Sequence, residues 1–240
     1  MEDKKSIIAA SAILGFCLII GTAIVSYVLL DIKKLNDTLS VTGSAKQQIT
    51  SDSVKWRANF TRNVLQSDIK SGYVQMKKDE DAVKKFLHDN GLKDESINIS
   101  PVFMNEVYKQ NDSAPKEYNL QQTVEITSPD VQKITDLTKN IQPLVDQGLI
   151  FSTQSIEYFT SKLPELRVSL LSNAIKDAKE RAQKIAESSG KKVGAIQSAN
   201  MGIVQVTPVN SVDISDYGSY DTSSIEKEVM VTVKTVFRLN

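Results

Sequence analysis

The chain has 240 residues, and its 29 lysines and arginines balance 29 aspartates and glutamates. A neutral chain lacks the basic surface with which proteins neutralise phosphates, so we expect no nucleic-acid partner. Its one cysteine, Cys17, lies in an apolar N-terminal stretch, and its one histidine is His88. These counts exclude disulfides, a thiolate nucleophile in the rest of the chain and a histidine-rich metal site.

The N-terminal stretch over residues 7–30 carries no charged side chain. At 1.5 Å per residue it spans the roughly 30 Å hydrocarbon core of a bilayer. A signal peptide has a shorter apolar region that ends in small residues, whereas this stretch is long and ends in bulky ones. The sequence therefore predicts a single-pass anchor in contact with membrane lipid. Cleavage after an interior small residue is the alternative.

The orientation of the anchor depends on the lysines around it. Lys4 and Lys5 precede it and Lys33 and Lys34 follow it, so the positive-inside rule gives a mild preference only. A short tail with early lysines usually stays inside. The predicted organisation, from the N-terminus, is a cytoplasmic tail at 1–6, an inner-membrane anchor at 7–30, a polar linker at 31–38 and an extracytoplasmic domain at 39–240.

After the linker, the sequence predicts two strands followed by a helix. The strands are 39–43 and 54–60, because apolar residues alternate along them. The polar residues 47–52 are expected to form the turn between the strands. Apolar residues at three- and four-residue steps then predict a helix over 65–89.

Three further strands and a second helix follow. The predicted strands are 96–107, 117–127 and 149–160. Pro101 is expected to mark an edge or bend in the first of them, since proline cannot donate to a ladder. Between the last two, helical spacing predicts a helix capped by Ser128, and Pro143 is expected to bend or end it.

The clearest helix pattern covers residues 163–189. Its four alanines form one narrow stripe that predicts close packing on a sheet: Ala174, Ala178, Ala182 and Ala186. Strands are predicted at 193–206 and 228–239, with an exposed polar loop at 211–224 before the last strand. Because the strands alternate in polarity, an antiparallel sheet is favoured over a doubly wound parallel one.

The predicted fold class is therefore α+β: an N-terminal transmembrane helix, then mostly antiparallel sheet packed with about three helices. The order of elements fits one domain or two lobes that share strands. Four segments carry a resemblance to a known family. They are SVTGSA at 40–45, YNLQQTV at 118–124, the alanine-rich helix with the following Lys192-Val193-Gly194, and the closing strand at 229–239.

Together these segments resemble the SIMPL-domain family, which includes bacterial periplasmic immunogenic proteins, over about residues 39–240. Two positions depart from the family pattern: Ala45 replaces its second glycine, and Ser51-Asp52 replaces its Pro-Asp. The resemblance implies export to the cell envelope, a SIMPL-like α+β fold and assembly into larger rings. It also implies a suggested role in stress tolerance, and it supplies no established catalytic residues.

No residue is predicted to be catalytic, to bind a cofactor or to bind a metal. His88 is expected to interact with a helix dipole at the surface. The run Asp79-Glu80-Asp81, flanked by lysines, predicts a solvated helix face. Trp56 is predicted to be a core residue, and Tyr217 and Tyr220 are candidates for contact with a partner.

The leading hypothesis is a membrane-anchored structural or interaction module of the cell envelope that forms homo-oligomers and is not an enzyme. One alternative is a carboxylate-dependent envelope hydrolase, which would need two acids paired in a cleft; no spacing in the sequence nominates such a pair. The other alternative is an extracytoplasmic domain that binds a small ligand.

Overall fold

A computed structural model of the protein describes residues 14–29, 37–109, 114–212 and 215–240. The predicted tail at 1–6, residues 7–13 and 30 of the predicted anchor, and most of the linker lie outside the described residues. Residues 14–29 form helix α1. No helix in the described ranges combines the length and the apolar character needed to cross a membrane.

The rest of the described chain is a mixed α+β fold with antiparallel sheets, as the sequence predicted. Its strands are β1 (Thr38–Thr50), β2 (Ser53–Leu65), β3 (Ile97–Ile99), β4 (Phe103–Val107), β5 (Glu117–Ser128), β6 (Ile150–Phe159), β7 (Val193–Met201), β8 (Gln205–Pro208), β9 (Ser219–Tyr220) and β10 (Glu226–Leu239). Its helices are α2 (Ile69–Asp89), α3 (Val131–Lys139), α4 (Gln142–Val145) and α5 (Leu163–Ser188). With α1, the described residues thus hold five α-helices, where the sequence suggested about three beside the anchor.

The strands form two five-stranded sheets. Sheet 1 has the order β1-β10-β8-β9, and β7 also pairs with β10. Sheet 2 has the order β3-β5-β2-β6, and β4 also pairs with β5. The closing strand β10 is therefore an interior strand. Strands β1 and β8 pair with its two sides.

The chain divides into two compact units. Unit 1 draws on Met1–Lys46, Arg167–Val204 and Met230–Asn240, and unit 2 on Gln47–Leu166 and Gln205–Val229. Each unit has its own cluster of buried apolar side chains.

The core of unit 2 is built from large side chains of sheet 2 and its helices. The inward residues of β2 are Val54, Trp56, Ala58 and Phe60, all nearly inaccessible. Trp56 lies at the centre, as predicted: its ring meets Phe151 edge to face at 6.0 Å, and its Nε1 donates to the Thr153 hydroxyl at 3.2 Å.

The core of unit 1 is built from small side chains. All four alanines of the α5 stripe are buried, which confirms the prediction. A Cβ atom placed on Gly43 would lie 2.1 Å from the carbonyl oxygen of Ala174 and 2.5 Å from the amide nitrogen of Ala178. Because glycine has no Cβ, the backbones of β1 and α5 approach each other directly. Val233 and Phe237 of β10 complete this core.

Two predicted boundaries around β1 and β2 are wrong. The expected turn at 47–52 is strand up to Thr50, and only Ser51 and Asp52 separate β1 from β2. Thr50 donates to the Glu226 carboxylate at 2.9 Å, so these polar residues continue a strand beside β10 instead of turning. The helix predicted from residue 65 begins at Ile69, because β2 continues to Leu65 and a 3₁₀ turn follows.

The helix predicted after Ser128 is two helices, α3 and α4. Asp130, and not Ser128, is the N-cap: its Oδ1 accepts from the amide of Lys133 at 3.1 Å. Pro143 lies in the first turn of α4, where a missing amide hydrogen costs nothing, and so it starts a helix instead of ending one.

Several predicted strands are interrupted. The strand predicted over 96–107 divides into β3 and β4 around Pro101, and the one over 193–206 divides into β7 and β8. In β6 the predicted alternation fails because the pairing with β2 shifts between Arg57 and Ala58. This bulge lets Phe151 and Tyr158 both face the core, while Ile150 is 63% exposed.

Candidate functional site

His88 lies in the last turn of α2, on the surface, as the sequence predicted. Its Nε2 is 2.9 Å from Asp94 Oδ1, and its side chain is 45% exposed. A protonated imidazole at this end of a helix interacts favourably with the dipole and with the neighbouring carboxylate. The geometry is that of a surface hydrogen bond between the two side chains.

The acidic run at 79–81 is not the uniform solvated face that the sequence predicted. Asp79 is only 4% exposed. The Arg62 guanidinium donates to both of its carboxylate oxygens, from Nη2 at 2.8 Å and from Nε. Asp79 and Arg62 thus form a two-pronged, charge-assisted pair. Arg62 continues the inward alternation of Trp56 and Phe60 along β2, and an arginine at an inward position was the sequence signal for a buried acid.

Glu80 is held next to this pair by three donors. Lys84 Nζ lies 2.8 Å and Lys77 Nζ 3.0 Å from its Oε1, and Gln122 Nε2 lies 3.2 Å from its Oε2. These hydrogen bonds, that of Lys84 most of all, lower the pKa of Glu80 to about 2. The carboxylate is therefore ionised throughout the physiological range and fully committed to donors of its own chain.

A second polar cluster is centred on Asp221, within the loop that was predicted to be exposed. Lys227, which is fully buried, donates to the carbonyl oxygen of Asp221 at 2.7 Å and to its Oδ2 at 3.0 Å. Oδ1 accepts from the amide and hydroxyl of Ser223, and Oδ2 from those of Ser224. Burial raises the pKa of Asp221, but these hydrogen bonds outweigh it and hold the pKa well below its ordinary value.

Sequence inspection missed the Asp221 cluster, although a signal was present. Counting back by two from Val229 along the buried face of β10 leads to Lys227, so a lysine stands at an inward position. A buried ammonium needs a compensating charge, and Asp221 supplies it. The loop residues 221–224 are therefore fixed by hydrogen bonds, whereas Tyr217 is 97% exposed.

Both clusters are charge-compensated within the chain. Asp79 faces Arg62, and Asp221 faces Lys227 and two serines, so each acid pairs with a basic side chain and has both carboxylate oxygens hydrogen-bonded. In the ranges that the structure describes, no group of three or more histidine, cysteine, aspartate or glutamate side chains is placed to hold a metal ion. The Asp221 cluster fixes the backbone of its loop, and the Arg62–Asp79 pair joins β2 to α2.

A surface hollow of about 480 Å³ lies where β4 ends and β5 begins. Its charged groups pair with each other or with neighbours: Lys116 with Glu106 at 3.1 Å and Lys109 with Glu117 at 2.7 Å. Tyr108 beside it is 87% exposed. Of the two tyrosines named as candidates for partner contact, Tyr220 stacks on Phe159 with ring centroids 6.2 Å apart, so only Tyr217 projects freely.

The most unusual surface of unit 1 is strand β7. Every residue from Ala195 to Met201 is exposed. β7 pairs with β10 on one side, and no other described strand pairs with it. Its sequence, VGAIQSANM, contains neither a charged residue nor a proline. Charges, prolines and bulges are the usual means by which proteins protect a sheet edge; β7 has no charge and no proline, and its register shifts lie before Ser198.

The opposite edge of the same sheet in unit 1 is protected. The amide of Ser44 in β1 donates to Asp177 Oδ2 of α5 at 2.8 Å, so a helix side chain occupies an edge donor. This bond, and next the one from Arg181, lower the pKa of Asp177. The open edge of unit 1 is therefore β7.

Comparison with known proteins supports the resemblance seen in the sequence. The family model described as SIMPL, protein of unknown function (DUF541), matches residues 39–237. None of the curated proteins matches the chain.

Proposed function

The chain belongs to the SIMPL family, and from that premise we propose that it is a membrane-anchored module of the cell envelope that acts through surface contacts and self-association, without catalysis. One observation carries the proposal. The buried acids that an enzyme could use are paired with basic groups of the same chain, while uncharged elements are left exposed. A large contiguous apolar patch on the surface of a folded protein marks contact with a partner or a membrane.

Helix α1 supports the membrane part of the proposal. Its large side chains are strongly exposed, for example Phe16 at 64% and Ile19 at 68%. It lies within the uncharged stretch 7–30, whose length suits the hydrocarbon core. In the proposed arrangement, lipid covers these side chains, the lysine-bearing tail stays in the cytoplasm, and the folded residues 39–240 lie outside the inner membrane.

Protease accessibility tests the anchor and its orientation. In spheroplasts of a producing bacterium, we expect added protease to digest the folded part of the chain while a cytoplasmic marker protein stays intact. The chain should sediment with membranes, and its mass should show an uncleaved N-terminus. Protection of the chain until the membrane is lysed would contradict the outward orientation, and release into the soluble fraction would contradict the anchor.

The two other classes of function have their own tests. An envelope hydrolase would release soluble fragments from peptidoglycan, and replacing one carboxylate would abolish the release. We expect no turnover by the purified full chain, because Asp79 and Asp221 are already paired. A small-ligand domain would use a hollow such as the one beside Tyr108, and Tyr108→Ala would then remove ligand-induced stabilisation without changing self-association.

A further inference from the structure

We propose that β7 is the self-association seam: a second copy of this chain adds its own β7 to the open edge, antiparallel, so that sheet 1 continues from one molecule into the other. This inference rests on the proposed self-association and names the surface that carries it. It has three requirements. Backbone groups of β7 must point outward, and the edge must accept an identical strand without charge repulsion. The exposed apolar side chains of β7 must also become buried when the second strand pairs.

The pairing of β7 with β10 fixes which backbone groups point outward. Met201, Asn200 and Ala199 lie opposite Val233, Lys234 and Thr235, and the next residue, Gly202, donates its amide to the Thr232 carbonyl at 2.9 Å. Backbone groups of alternate residues point to alternate sides of a strand. Asn200 therefore points to β10 with Gly202, and the amides and carbonyls of Ala199 and Met201 point to the open edge.

An identical strand fits this edge electrostatically. β7 carries no charge, so two copies oppose no like charges in any antiparallel register confined to residues 193–201. A charged strand from another protein would meet no counter-charge there. The β1 edge is not an equivalent acceptor, because Asp177 already binds the Ser44 amide. Strand addition of this kind uses main-chain hydrogen bonds for affinity and alternate side chains for specificity.

The exposed apolar side chains of β7 also favour burial by a second strand. Ile196 and Met201 lie opposite Phe237 and Val233, which places them on the sheet face that carries the core of unit 1. Nevertheless they are 46% and 51% exposed. Ser198–Met201 pairs with β10 in unbroken register, so this segment is straight enough to accept a neighbour; the register shifts lie nearer the start of β7.

Two substitutions test the seam without disturbing the packing of the core. Ala199→Pro removes an outward amide hydrogen, which a strand tolerates on an edge. Asn200→Glu places a carboxylate opposite Lys234 of the same chain, which is favourable within the molecule, but it puts one added negative charge from each copy into the otherwise neutral paired seam. Ser172→Glu, on the exposed side of α5, adds the same charge away from the edge and is the matched control.

The measurement is sedimentation of the purified full chain in detergent over a range of concentrations, together with hydrogen exchange of the peptide that contains residues 196–203. We expect dimers or larger species, with protection of this peptide rising with concentration. Ala199→Pro and Asn200→Glu should each weaken association by about tenfold or more, and Ser172→Glu by less than about twofold. If Ala199→Pro does not fold, Asn200→Glu decides.

The outcomes separate the seam from the function. Association that survives both edge variants, with no protection of 196–203, would overturn the seam and leave self-association standing on another surface. A chain that is monomeric at every concentration would overturn both proposals.

Discussion

The cores of the two units of this protein are built from side chains of opposite size. Unit 2 fills the space between sheet and helices with large side chains such as Trp56 and Phe60. Unit 1 removes that space: Gly43 and the alanines of α5 bring a strand and a helix into backbone contact. The difference teaches where each unit is vulnerable. Unit 2 should lose stability when volume is removed, and unit 1 when volume is added.

The units also differ in how they treat charge. Unit 2 buries two ion pairs, Arg62 with Asp79 and Lys227 with Asp221. In unit 1 the comparable bond is at the rim, where Asp177 binds the Ser44 amide, and the edge strand β7 has no charge. Buried pairs fix the parts of unit 2 to each other, whereas the surface of unit 1 is left open on one side.

The largest effect is expected at Gly43 in unit 1. Gly43→Val places atoms where the α5 backbone already lies, so the strand and the helix must separate. We expect a loss of about 5 kcal/mol in the free energy of unfolding, or no folding of unit 1, because backbone cannot move aside as a side chain can. Thr42→Val, at the exposed neighbouring position, should cost less than about 0.5 kcal/mol in the same urea titration. Equal midpoints for the two variants would show that the close contact does not exist.

The next largest effect is expected at Trp56 in unit 2, where removing side-chain volume, instead of adding it, is destabilising. Trp56→Ala removes a fully buried side chain, and the cavity should cost about 3–5 kcal/mol. Trp56→Phe keeps most of the volume and loses the bond to Thr153, so it should cost clearly less. Unfolding followed by circular dichroism measures both. If Trp56→Ala cost no more than Trp56→Phe, volume would not be what holds unit 2 together.

A smaller effect is expected at Ala178, the alanine of the α5 stripe that lies directly against Gly43. Ala178→Leu overpacks the contact with β1 and should cost about 1–3 kcal/mol. Lys179→Leu changes the adjacent exposed residue and should stay below about 0.5 kcal/mol. Urea melts of the two variants check this. Equal stabilities would mean that α5 presents a different face to the sheet.

Much of this contrast could be predicted from local sequence. The alanine stripe, the alternating residues around Trp56 and the closing strand all follow from periodicity within one element. The bulge in β6 could not, since it depends on how Arg57 and Ala58 pair with a distant strand. The extension of β1 to Thr50 likewise depends on Glu226, far along the chain.

The buried charges show the same limit more sharply. Counting along the strands shows that Arg62 and Lys227 occupy inward positions. An inward basic side chain predicts a buried acidic partner. Counting along a strand does not reveal which acid is the partner, because Asp79 and Asp221 come from a helix and a loop whose positions are set by the tertiary fold. The exposure of β7 also required the sheet order, since a neutral strand in the middle of a sheet has the same sequence pattern.

The smallest effect is expected at Glu80, and it sharpens the electrostatic half of the comparison. The folded-state pKa of Glu80 is lowered to about 2 from an ordinary 4.5, first by the bond from Lys84. A lowered carboxyl pKa means that the folded state favours the ionised form, so Glu80 stabilises the fold above about pH 4.5 and loses this contribution as pH falls toward 2.

Glu80→Gln therefore should be less stable than the natural chain at neutral pH, by about 1 kcal/mol after allowance for solvent screening. The difference in unfolding free energy should shrink between pH 4.5 and 2, where the natural residue becomes protonated. Other acids titrate in the same window, so the quantity to measure is the difference between the two proteins at each pH. The matched control is Asp81→Asn, one residue away on an exposed side chain that touches Lys77 only at 3.3 Å. A pH-independent difference for Glu80→Gln, or an equal one for Asp81→Asn, would mean that the bonds from Lys84 and Gln122 do not hold the charge. In that case the electrostatic contrast between the units would be confined to the pairs Arg62–Asp79 and Lys227–Asp221.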